Sequence, residues 1–180
     1  MRWFWIDRFT EFVSGEYAVA VKGVSLSEAH LHAHFPGQPL MPPSLVIEGL
    51  AQTGGLLFGE HIHFASPIVL AKVSRAQFIQ HARPGDQLVY RAQLASVVAE
   101  GAMIEGTAHV GGELFAEVVL FLGVLSGEGP DHLFEPFALA GLLRMLDFVS
   151  VGRTADGKPI ELPPALLEAE RLAISSETSD

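Results

Sequence analysis

Polar and apolar positions along the chain fall into two periods. From Glu16 to Val24 the run EYAVAVKGV alternates and is rich in β-formers, which predicts a strand with Tyr17, Val19 and Val21 on one face. The segment LHAHFPGQPLMPP then breaks regular structure. From Ser44 to about Glu60, SLVIEGLAQTGGLLFGE is apolar almost all round, with Leu45, Val46, Ile47, Leu50, Leu57 and Phe58 leaving little room for a solvated face. A helix of that kind is buried. Pro42 and Pro43 stand where a helix tolerates proline, and they help to fix its start.

Three or four β-like stretches follow, roughly Ile68 to Phe78, Gln87 to Val98, Ala102 to Val110 and Glu113 to Leu125, separated by the turn signals PGD, AEGA and GGE. Consecutive strands joined by short turns imply an antiparallel sheet, and one long apolar helix among them predicts an α+β fold in which the sheet wraps the helix. Beyond residue 126 the pattern changes. GEGPDH reads as a linker, Pro136 to Phe148 as an amphipathic helix, Pro163 to Ala173 as another, and SSETSD as a disordered end. Leu139, Leu142, Leu143 and Leu146 at helical spacing predict a packing face, with a lid or an oligomer contact as the alternative. The expected organisation is a domain over residues 1–126 and an acidic extension over 127–180 with one or two short helices.

Composition narrows the function. Of 180 residues, 49 % are hydrophobic and 18 % charged, enough for one ordinary core. The longest apolar runs, such as Val118 to Leu122, fall far short of the roughly 18 residues of a membrane span. Asp7 and Arg8 interrupt what a secretory segment would keep apolar, so a cytoplasmic chain is expected. The absence of cysteine excludes disulfides, thiolate metal sites and a cysteine nucleophile. A net charge of −10 with no basic run offers no footprint for nucleic acid.

Glu48 is the one charged residue between His34 and Glu60, and it lies inside the apolar helix, where an unpaired carboxylate is costly. Burial there would raise its pKa and leave a carboxylic acid able to donate a proton near neutral pH. Ser44 and Gln52, four residues to either side, complete a polar stripe that could orient it. His30, His32 and His34 alternate, and on a strand they would turn three imidazoles to one face as for a metal. The FPG bend follows at once and no nearby carboxylate or cysteine completes the set, so no metal and no other cofactor is expected. Gly54 and Gly55 inside the helix predict close approach, by substrate, by a neighbouring helix or by plain packing.

The stretch HFPGQPLMPPSLVIEGLAQ, from His34 to Gln52, resembles the motif HFPGxPxMPGxLxxExxAQ of the 3-hydroxyacyl carrier-protein dehydratases of type II fatty acid synthesis. IDRFTEFVSGEYAVAVKGV and the PGDQL turn at Pro84 to Leu88 are similar to the same family, and about residues 5 to 126 are covered. The resemblance implies a hotdog fold and dehydration of 3-hydroxyacyl thioesters of acyl carrier protein or coenzyme A. It also implies a homodimer or higher oligomer, with His34 as base and Glu48 as acid facing each other across the interface. Phe35 and Gly37 would hold the histidine loop, and Met41 with the helix side chains would line an acyl tunnel. Lys72, Arg75, Arg83 and Arg91 could form a docking patch for an acidic carrier or a coenzyme A phosphate, or be ordinary surface charge.

At Pro43 the chain departs from the motif, which has glycine there. The resemblance implies that this glycine's backbone N–H binds the thioester carbonyl, and proline has none. Losing such a donor costs about 2.7–4 kcal/mol unless Ser44 supplies one instead. Two rival readings therefore stand beside the dehydratase: a non-catalytic acyl-binding or partner-stabilising hotdog protein, and an acyl thioesterase on the same architecture.

Overall fold

A computed structural model describes residues 4–125 and 135–177. The linker expected at GEGPDH lies outside the described residues, as do Thr178 to Asp180. The elements run β1 (Arg8–Val13), β2 (Tyr17–Gly23), α1 (Ala29–Ala33), α2 (Pro43–His61), β3 (Ile68–Phe78), β4 (Gln87–Val98), β5 (Gly101–Val110) and β6 (Glu113–Val124). Then come α3 (Pro136–Met145), α4 (Phe148–Val151), β7 (Gly152–Arg153) and α5 (Pro164–Glu177). The strands form one seven-stranded sheet in the order β3-β6-β5-β4-β2-β1-β7. It is antiparallel except for the short β1–β7 pairing.

The alternation of β4, β5 and β6 turns one face of the sheet into the core: Leu88, Tyr90 and Ala92, then Ile104 and Ala108, then Val118 and Leu120 are fully buried. In register, Ala18 pairs with Ala92 and Ala92 with Gly106, so a row of small residues crosses the sheet. Helix α2 lies over this face at close range. A Cβ on Gly49 would stand 2.6 Å from the Tyr90 ring, one on Gly54 2.8 Å from Ile104, and one on Gly106 3.1 Å from Leu50. Gly54 thus serves packing against the sheet, whereas a Cβ on Gly55 would meet nothing within 4 Å. Tyr17, Val19 and Val21 do share a face, but it is Ala18 and Ala20 on the other face that belong to the core under the helix.

The helix is less completely buried than its composition predicts. Ser44 is exposed and Leu45, Glu48, Gln52 and Leu56 are half-buried, because the sheet covers only one side of α2 and the other side borders a cavity. Two further differences are local. The segment before the FPG bend contains α1, too short for a period to show, which carries Leu31 into the core. Strand β1 shifts register between Phe9 and Glu11, so its buried residues Phe9 and Phe12 are three apart and the alternation of a strand is lost.

The C-terminal elements pack onto this layer. Phe148 is fully buried, with its ring edge-on to Phe12 at 4.8 Å and to Phe64 at 6.2 Å. The Phe9 N–H donates to the Leu146 carbonyl (2.8 Å), and β7 extends the sheet beyond β1. Arg144 of α3 forms a two-pronged ion pair with Glu170 of α5 (2.6 and 2.7 Å). Helix α5 continues through Ser175 to Glu177, where the sequence suggests a disordered end. Among the described residues no helix is long and apolar enough to cross a membrane.

Phe148→Ala is expected to lower the free energy of unfolding by about 3–5 kcal/mol, the usual cost of emptying a buried phenylalanine site. Urea denaturation of the full chain checks this; a loss below about 1 kcal/mol would mean that the extension is only loosely attached.

Candidate active site

The histidine loop follows the C-terminal end of β2, an inner strand of the sheet. Lys22, almost fully buried, reaches Glu28 at 2.8 Å and Asp7 at 3.6 Å, tying the start of α1 to the strand. That ion pair and the Ser25 N–H hold the Glu28 carboxyl below the usual carboxylate range against the opposing effect of its burial. After α1, Phe35 and Gln38 exchange backbone hydrogen bonds (3.0 and 2.9 Å), and Gly37 takes the positive φ of 75° that closes the FPGQ bend. The Leu40 N–H donates to the His34 carbonyl, and the His34 ring stacks on Phe35 at 4.2 Å. His34 Nδ1 lies 3.0 Å from the Leu40 carbonyl oxygen. A carbonyl only accepts, so Nδ1 carries a proton, and the neutral tautomer this bond selects has its lone pair on Nε2.

The three alternate histidines do not converge. A helix turns successive even positions apart by about 200°, and here His30 and His32 stand on α1, with His34 as its C-cap, rather than on a strand. The His32 ring bonds the Leu26 carbonyl, while His30 packs edge-on against Trp5 at 5.1 Å, where burial holds its imidazole below the usual histidine range. Among the described residues no cluster of His, Asp or Glu side chains has the arrangement of a metal site.

Helix α2 begins with Pro42 as its cap and Pro43 as its first residue. The Leu45 and Val46 N–H groups both turn back to the Pro42 carbonyl. Among the described residues nothing accepts the Ser44 N–H, so the first free donor at this helix end sits one residue beyond Pro43. Met41 is buried in the core, where its N–H donates to the Ala82 carbonyl; it does not face the cavity. Phe35 is 54 % exposed.

One turn along α2, the Gln52 side-chain amide donates to Glu48 Oε1 (2.9 Å), and its own carbonyl oxygen accepts the Trp5 N–H (2.9 Å). The stripe expected from the sequence thus orients Glu48 through Gln52, with Ser44 apart from it. Glu48 is half-buried, so its carboxyl keeps part of its hydration where the sequence predicts full burial. Both side chains border a cavity of about 810 Å³. Its walls are mostly apolar, with Ala51, Gly55 and Leu56 on α2 and Ile68 and Leu70 on β3.

His34 does not line that cavity, and no hydrogen bond or ion pair joins it to Glu48 within the chain. Three of the four cations are likewise apart in role: Arg75 pairs with Glu117 at 3.5 Å, Arg91 lies over the Tyr17 ring at 3.7 Å, and Arg83 borders a small cleft with Gln38 and Pro39. What the sequence reading misses is that α3 and α5 also wall the cavity; the helical leucine spacing is the one signal that could have suggested it.

Residues 3–119 match the family model described as FabA-like domain. The 3-hydroxyacyl-(acyl-carrier-protein) dehydratase FabZ of Pelotomaculum thermopropionicum is 37 % identical over 120 residues, 66 % of this chain and 86 % of the relative. The bifunctional enzyme LpxC/FabZ of Chlorobaculum tepidum is 34 % identical over 122 residues, 67 % of this chain but only 26 % of that longer protein. Among solved structures, smu.793 from Streptococcus mutans, bound to acetyl CoA, has a similar fold, with a TM-score of 0.56 at 13 % identity over 72 % of this chain and 96 % of its own.

Gly49→Ala is expected to destabilise the chain by about 1–3 kcal/mol, because its methyl group would press on the immovable Tyr90 ring. Thermal unfolding checks it, with Gly55→Ala, which meets open space, as the neutral comparison.

Proposed function

The chain belongs to the FabA-like family, and from that premise we propose that it eliminates water from 3-hydroxyacyl thioesters to give trans-2-enoyl thioesters in fatty acid or related lipid synthesis. The observation that carries the reading is the pair of complementary groups: a histidine whose Nδ1 is committed to the Leu40 carbonyl, leaving Nε2 for the substrate, and a carboxyl held by Gln52 on the wall of an apolar cavity. His34 Nε2 removes the proton from the carbon next to the thioester carbonyl. The Glu48 carboxyl, with Oε1 held by Gln52, delivers a proton from Oε2 to the departing hydroxyl, directly or through one water, and the hydroxyl leaves as water. The Ser44 N–H at the positive end of α2 receives the negative charge that builds on the thioester oxygen, in place of the donor that Pro43 lacks.

The two groups meet between two copies of the chain. Within one copy His34 and Glu48 are separate, and β3, at the edge of the sheet, is exposed along nearly its whole length with Leu70 and Val73 among its exposed side chains. A long, open strand edge of that kind calls for a partner. Two copies pairing there would form a homodimer with two shared sites, each taking His34 from one protomer and Glu48 from the other. The substrate is carried by acyl carrier protein or coenzyme A, and the enzyme works in the cytoplasm, where such thioesters are made and consumed. Residues 1–126 carry the reaction and 127–180 are an addition to it.

Following enoyl-thioester absorbance with carrier-protein and coenzyme A substrates tests this. His34→Ala and Glu48→Gln are each expected to lower kcat by about 10²–10⁴-fold in a folded protein. Release of free acid would instead make the protein a thioesterase, and an acyl chain that co-purifies without turnover would make it a binder. Pro43→Gly is expected to change kcat by less than about tenfold, since Ser44 already supplies the donor; a gain of about 10²–10³ would show that it does not.

A further inference from the structure

The family match ends at residue 119, yet part of the cavity wall comes from the extension beyond it. Leu139, Leu142 and Leu146 of α3 and Leu166 of α5 line the same space as Glu48 and Gln52. On α2 the lining includes two small residues beside Leu56, namely Ala51 and Gly55, the latter with open space where a Cβ would stand. Ser66 and Glu135 are the other polar side chains on the lining, and the rest is apolar or glycine. The extension cannot swing freely, because Phe148 is wedged between Phe12 and Phe64, and Phe64 is itself a cavity residue. The Leu146 carbonyl is held by the Phe9 N–H, and Arg144 locks α3 to α5 through Glu170.

We propose that this extension is a chain-length gauge: Leu139, Leu142, Leu146 and Leu166 complete an apolar chamber leading from Glu48 and select thioesters with saturated tails long enough to fill it. The inference rests on the reading of Glu48 as the acid of the reaction. At about 810 Å³ the chamber is large for a short acyl group and within the range of pockets that enclose whole small ligands. A short substrate leaves the leucines untouched and gains nothing from them. A longer tail exchanges water for their side chains, with each added methylene contributing to binding until the wall is reached. Residues 135–166 thus act on specificity without touching the reacting atoms.

The test compares hydration of crotonyl and dodecenoyl thioesters by the full chain, wild type against Leu139→Trp, Leu142→Trp and, as control, Met145→Trp, which is 67 % exposed on the same helix. Filling the chamber is expected to lower kcat/KM for the dodecenoyl substrate by about tenfold or more and to leave crotonyl within about twofold, while Met145→Trp matches wild type. Equal losses on both substrates, or no loss on either, would overturn the proposal. Leu139→Phe replaces any tryptophan variant whose circular dichroism shows it unfolded. Where wild type turns over neither substrate the dehydratase reading has failed, and calorimetry with dodecanoyl-CoA and butyryl-CoA judges the chamber alone. Binding of dodecanoyl-CoA weakened about tenfold by the cavity variants supports it. Binding that is unchanged by them, or absent in wild type, overturns it.

Discussion

The structure depends on how closely α2 sits on the sheet. Three glycines, at 49, 54 and 106, remove the side chains that would hold helix and strands apart, and Tyr90, Ile104 and Leu50 fill the space they leave. Interiors packed at that density do not yield by fractions of an ångström, so the rotation of α2 about its own axis is fixed. Once Gly49 and Gly54 face the sheet, Glu48, Gln52 and Gly55 must face away from it, toward the cavity. The position of Glu48 is therefore a consequence of packing at its neighbours.

His34 is set by a separate device. A buried lysine anchors α1, a tight bend turns the chain back, and the Leu40 carbonyl decides which imidazole nitrogen keeps its proton. Neither device brings His34 to Glu48 in one copy, and the exposed edge of β3 offers the place where a second copy would supply the missing half. The extension adds a third element. It is joined to β1 through Phe148 and Phe9, far from the histidine loop in sequence, and it supplies part of the wall of the cavity beside α2.

Much of this was legible in the chain. The strands β3 to β6 and helix α2 fall within a residue or so of their sequence-predicted limits, because continuous periodicity and strong turn signals marked them. The His34 to Gln52 motif led to the site, and Glu48 stood out as a lone charge in an apolar helix. Elements without a period were hidden: β1 by its bulge, and α1, α4 and β7 by their brevity. The alternation of His30, His32 and His34 suggested a strand that the one-turn helix replaces. Full burial of Glu48 was read from an all-round apolar helix, whereas one face of that helix borders a cavity, and no pattern within α2 itself tells a wall of protein from a wall of empty space. Leucine spacing in α3 announced a packing face but not that part of it would face a cavity.

The central claim is that the acid and the base of one site belong to two copies of the chain. Mixing the His34→Ala and Glu48→Gln proteins, each inactive alone, and allowing their subunits to exchange tests it most directly. A shared site predicts that mixed dimers regain one intact centre out of two, so that an equal mixture recovers about a quarter of wild-type turnover. Subunits that demonstrably exchange yet recover no activity would contradict the account and place both groups, or neither, within a single chain.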